Sequence, residues 1–238
     1  MPRAAFGRSR DLSAKDTEAC RLIGEEFGLG DIQEMARSRA TALTCLYTGG
    51  VAQARPGAGA PAVVSWERAE AVIISLVTDR RGTPGSDIAT CAVRGRDGTT
   101  IQMHPSQAES ATRAAYLGFA LGISVKMVDA YDAGTPVIAG AVQVDQDGVT
   151  LQDGMMLPWQ GIRRVMLAAP TSDLPNMTTL VLFTFNAVAP GQPHIAALNP
   201  AGVPNAVSLG DLIAHAAGQH EVPVALGWVQ RGRLRERP

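Results

Sequence analysis

The chain has 238 residues, of which 46% are hydrophobic and 18% charged, so a buried core is expected and neither disorder nor a membrane span is. Its formal charge is −1, but residues 1–10 and 231–238 are each net +3, which leaves the interior at −7. An acidic body excludes a broad nucleic-acid or anionic-membrane surface, leaving only the arginine-bearing ends able to touch either.

No apolar run follows the basic start Met1–Arg10, so no secretory signal is expected and the cytoplasm is the default location. Ser13 is placed to cap a helix over Ala14–Phe27, with Asp16 and Glu18 in its first turn and Gly28 and Gly30 to stop it. Asp31 offers a cap for a second short helix, Asp31–Ser38, and the two helices make an N-terminal extension over residues 1–39. From Thr41 the pattern changes to strands: Thr41–Thr48, a turn at Gly49-Gly50, and a glycine- and proline-rich loop over Arg55–Pro61. Strands follow at Ala71–Thr78 and Ser86–Arg94, and Asp97-Gly98 marks a hairpin into Thr99–His104. Pro105-Ser106 opens a long helix, and the apolar run Ile123–Val128 after it reads as a further strand.

The same order then returns. Val137–Asp145 reads as one strand, Asp147-Gly148 turns the chain, and Asp153-Gly154 turns it again before Leu157-Pro158-Trp159. Arg164–Ala169, Met177–Asn186 and His194–Leu198 read as strands, Ser208 as the cap of a helix Leu209–Ala217, and Val222–Trp228 as a closing strand. Gly50-Val51 followed by Ser65-Trp66-Glu67-Arg68-Ala69-Glu70-Ala71-Val72 matches Gly148-Val149 followed by Pro158-Trp159-Gln160-Gly161-Ile162-Arg163-Arg164-Val165. These two tryptophans lie 93 residues apart, a period that fits a small domain and makes internal duplication the first organising hypothesis.

The glycine-led strand and the Pro-Trp-x-x-Ile-x-x-Val stretch of the second copy resemble the bacterial pleckstrin-homology-like (PH-like) domains, over residues 41–131 and 137–229. The resemblance implies an α+β, mainly β fold: two duplicated antiparallel bent barrels, each closed by a C-terminal helix, over 40–131 and 137–229, with a basic tail over 230–238. In such a barrel Trp66 and Trp159 read physically as structural plugs, large apolar side chains whose indole N–H can find a partner near the rim. No lysine-rich loop joins the first two strands of either copy, so the resemblance carries architecture and not lipid-headgroup binding.

Chemistry-bearing patterns are sparse. Cys20, Cys45 and Cys91 form no CxxC pair, and their odd number points to buried reduced thiols. His215 and His220 are spaced to fall on different helix faces, which does not suit a metal pair. His104 ends a strand where it could face Asp87 or Asp97, but a solvated histidine is the simpler reading. Arg55–Ala60 lacks the Lys-Ser/Thr and following helix of a phosphate loop, and Arg80-Arg81 and Arg163-Arg164 are isolated basic pairs.

No catalytic, cofactor-binding or metal site is therefore expected. The expected function is a non-enzymatic interaction or structural assembly module that binds protein or itself, a scaffold with candidate contacts at Arg163, Arg164, Leu174, Met177, Val188 and Val203. The alternative is a small-molecule or lipid-binding protein with an apolar inter-domain pocket near Met103, Met127, Met155 and Met156.

Overall fold

A computed structural model describes residues 12–37, 42–55, 57, 59–78, 84–169, 180–186, 193–198, 203–230 and 233–236. The chain divides into two compact units, residues 1–73 with 89–119 and residues 74–88 with 120–238. The fold is α+β and mainly β, with four sheets among the described residues. None of them closes on itself, so the hydrogen-bonded bent barrel expected for each copy is not formed.

The first unit opens with α1, Ala14–Phe27, whose Ser13 Oγ accepts from the Asp16 amide at 3.2 Å while Asp16 accepts from the Ser13 amide at 3.0 Å. This reciprocal box satisfies two of the donors that a helix start leaves free. Gly28 ends α1 in the left-handed region at φ 63°. The next segment corrects the sequence reading: Ile32–Arg37 is a strand, β1, not a helix. Eight residues make a poor isolated helix, and pairing with β2, Leu43–Tyr47, supplies partners for the backbone that the helix would have had to supply alone. β3, Gly50–Ala54, and β4, Ala62–Ser65, complete an antiparallel sheet ordered β1-β2-β3-β4.

A second correction lies beneath this sheet. Cys20 and Cys45 are joined in a disulfide rather than held as free thiols, and both are buried with Ile23, Leu29, Tyr47 and Ala52. An odd cysteine count forbids complete pairing but not one pair. The odd residue is Cys91, buried, with its thiol pushed up to about 11 by desolvation.

A 3₁₀ turn, Trp66–Arg68, leads into β5, Ala69–Thr78, then β6, Pro84–Gly95, and β7, Thr100–Gln102, a sheet ordered β5-β6-β7. Gly98 takes φ 82° in the expected Asp97-Gly98 turn. The helical run that follows comprises α2, Ala108–Ala115, a π-helical turn Tyr116–Ala120, and α3, Leu121–Asp132. Ile123–Val128 is thus helix, not strand. Its β-branched residues favour a strand locally, but extending a formed helix by one residue at a time is cheaper than nucleating a new strand.

In the second unit the expected strand Val137–Asp145 breaks at Gly140, φ 61°, into β8, Val137–Ala139, and β9, Val142–Val144. With β10, Gly148–Thr150, and β11, Met156–Pro158, they form a sheet ordered β11-β10-β9-β8. A 3₁₀ turn, Trp159–Gly161, leads into β12, Ile162–Ala169, β13, Leu180–Asn186, and β14, Pro193–Leu198. The last helix, α4, runs Ala206–Gln219 from a left-handed Asn205, so Ser208 lies inside it. Instead of capping, the fully buried Ser208 hydroxyl donates to the Ala120 carbonyl at 2.9 Å. β15, Val224–Gln230, returns parallel to β12, and β16, Arg233–Glu236, pairs antiparallel beside it, so four residues of the basic tail form an edge strand. The core of this unit gathers Trp159, Val165, Phe183, Leu209, Leu212 and Ile213.

Candidate functional site

In the first unit the chain around Trp66 is fixed from three sides. The Trp66 amide donates to the Gly49 carbonyl at 2.9 Å, and its indole Nε1–H donates to the Thr48 carbonyl at 3.0 Å. Its ring stacks on Phe119 with centroids 6.1 Å apart, against Gly118, where a Cβ would lie 2.6 Å from the indole. These contacts hold the end of β4 in place.

The register then decides which backbone groups of β4 remain free. Residue pairs in an antiparallel ladder alternate between those that exchange hydrogen bonds and those that do not. The Trp66–Gly49 bond continues the Gly50↔Ser65 register by one residue, so Val51/Val64 and Gln53/Ala62 are the exchanging pairs. The amides and carbonyls of Val63 and Ser65 consequently face away from β3. Among the described residues β4 ends its sheet, so no strand is hydrogen-bonded to this outer edge.

Val63 and Ser65 line a groove of about 840 Å³ that also touches the C-terminal end of α1 at Glu26–Gly28, Trp66–Arg68, and the β6–β7 turn at Asp97 and Thr99. Its rim carries three carboxylates, Glu26, Glu67 and Asp97, against one guanidinium, Arg68. The Asp97 carboxyl is held below the usual carboxylate range chiefly by the Thr99 amide, which donates to it at 2.9 Å. The groove therefore combines a polar backbone edge, small apolar side chains and negative charge.

The second unit repeats the tryptophan geometry with other partners. The Trp159 amide donates to the Asp147 carbonyl at 3.1 Å and its indole to the Asp145 carbonyl at 2.9 Å. His220 stacks on the ring at 5.3 Å, only 10° from parallel, and Tyr131 Oη lies 3.0 Å from His220 Nε2. Nearby, His215 Nε2 and the Gln219 amide both meet Asp132 Oδ1 at 2.7 Å. His215 holds the Asp132 carboxyl below its ordinary range. This pair ties α3 to α4 at the surface. Among the described residues no three histidine, cysteine or acidic side chains converge as metal ligands.

The residues picked out by sequence are dispersed. Trp66 and Trp159 are buried; Arg163 is exposed and Arg164 half-buried on β12. Val203 is 2% exposed and belongs to the second core, so it is not a surface contact. Leu174, Met177 and Val188 lie outside the described residues, as do Arg80 and Arg81. Met103 is buried at 1%, Met127 packs on the second core, and Met155 and Met156 are exposed. His104 caps the 3₁₀ turn Pro105–Gln107, its Nδ1 accepting from the Ser106 amide at 3.2 Å, rather than facing Asp97. Sequence reasoning missed Val63, Ser65 and the carboxylates around them. The signal available was the contrast of Ser65 with Pro158, but only the ladder shows which way each backbone points.

No protein-family model matches this chain, and no curated protein is significantly similar to it.

Proposed function

We propose that this protein is a non-enzymatic protein-interaction module assembled from two copies of a PH-like unit, with the groove beside Trp66 as its binding surface. The duplication is supported by order and by local geometry. Each copy runs through a four-stranded antiparallel sheet, a 3₁₀ turn opened by a buried tryptophan, three further strands and a helix. In each, the indole donates to a carbonyl in the turn before the glycine-led strand.

The observation that carries the functional reading is the outer edge of β4, which pairs with no strand among the described residues and lines a groove large enough for a chain segment. A free edge is a hazard for aggregation unless something covers it, and a binding module turns that hazard to use. The testing measurement is the mass of the natively purified protein by light scattering, with mass spectrometry of whatever co-elutes. A stoichiometric protein partner or a defined oligomer is the expected result. A monomer carrying a small molecule or lipid overturns the reading.

A further inference from the structure

The two copies differ at one position that bears directly on strand pairing. Ser65 and Pro158 each precede the tryptophan, with φ/ψ of −76°/152° and −67°/140°. Each ends the edge strand of its sheet, β4 in one and β11 in the other. The Trp159–Asp147 bond continues the Gly148↔Pro158 register as Trp66–Gly49 does in the first copy, so residue 158 also faces outward from its ladder. Proline has no amide hydrogen, and a proline on a free edge denies an incoming strand one of its hydrogen bonds. The second edge is thus protected, and among the described residues the first is open, with Val63 and Ser65 each presenting one donor and one acceptor.

We propose that the groove takes an extended, basic peptide segment of a protein partner, which adds as a fifth strand to the outer edge of β4. The proposal rests on the interaction-module reading and supplies its mode and its partner chemistry. Backbone hydrogen bonds at Val63 and Ser65 fix the strand, and Glu26, Glu67 and Asp97 outnumber Arg68 along the rim, which selects lysine or arginine side chains over acidic ones. Neutral extended segments bind more weakly because they gain only the backbone pairing.

The test transplants the second copy's proline into the first. The Ser65 backbone already has proline-compatible angles and its amide is not used by β3, so Ser65→Pro keeps the fold. The probes are two labelled short peptides, one alternating valine with arginine and one alternating valine with glutamate, read by fluorescence anisotropy and by amide exchange in the whole chain. The arginine peptide is expected to bind, to protect the Val63 and Ser65 amides, and to lose at least about tenfold in affinity in Ser65→Pro and several-fold in Glu67→Gln, both with unchanged melting temperature. Equal affinity of Ser65→Pro, protection elsewhere, or preference for the glutamate peptide overturns strand addition. A co-purifying protein partner that Ser65→Pro retains would overturn it too while leaving the broader interaction reading standing.

Discussion

The indole N–H of Trp66 donates to the Thr48 carbonyl at 3.0 Å, tying the 3₁₀ turn after β4 to the turn before β3. Replacing Trp66 with Phe keeps most of the apolar volume but leaves that carbonyl without its donor, a loss of about 1–2 kcal/mol in urea unfolding. Trp66→Ala also opens a cavity against Phe119 and costs about 3–5 kcal/mol. The same two changes at Trp159, whose indole donates to Asp145, should fall in the same order.

Glycine is required at the head of the matching strands for reasons of space. A Cβ on Gly50 would lie 2.5 Å from the Val64 carbonyl oxygen, and one on Gly148 would lie 2.2 Å from that of Leu157. Backbone atoms in a ladder cannot step aside, so alanine at either position should destabilise by about 1–3 kcal/mol or more. Gly161→Ala is the control: its nearest neighbour is a Pro158 ring carbon at 3.5 Å, and its thermal midpoint should stay near that of the parent.

The Cys20–Cys45 disulfide closes a loop with a sequence separation of 25 residues. Chain-entropy reasoning gives it about 3.5 kcal/mol of stabilisation through the unfolded state. Cys45→Ser should lower the unfolding midpoint accordingly, and the parent in reductant should match it. Alkylation of the unfolded chain checks the bond directly: without reductant one of the three cysteines reacts, and with it all three do.

Asp16 accepts from Arg37 of β1, with Nε to Oδ2 at 3.3 Å, and from the Ser13 amide. Arg37 first, and the Ser13 amide second, lower its carboxyl to about 2. Because the folded value is depressed, the contribution is complete above the ordinary carboxylate range and is lost as pH falls from about 4 toward 2. Solvent screening limits it to the order of 1 kcal/mol. Urea midpoints should drop over that interval in the parent, and the drop should shrink in Arg37→Gln.

The features legible from residue order alone are those whose causes lie within a few residues. Ser13 with Asp16 sets the start of α1, Gly28 its end, and Asp97-Gly98 the hairpin turn, because caps and turns are satisfied by groups close in the chain. The recurrence of a glycine-led strand and a tryptophan was equally legible, since it is a pattern of residue types. The remaining features depend on groups far apart in the chain. Local signals favour a helix over Asp31–Ser38 and a strand over Ile123–Val128, but the backbone partners that decide are elsewhere, a strand at Leu43–Tyr47 in one case and a helix already under way in the other. The Cys20–Cys45 bond joins residues that no spacing rule connects. The outward direction of the Val63 and Ser65 backbone groups follows from ladder register, a property of two strands at once, and so the candidate binding edge is invisible until the strands are paired.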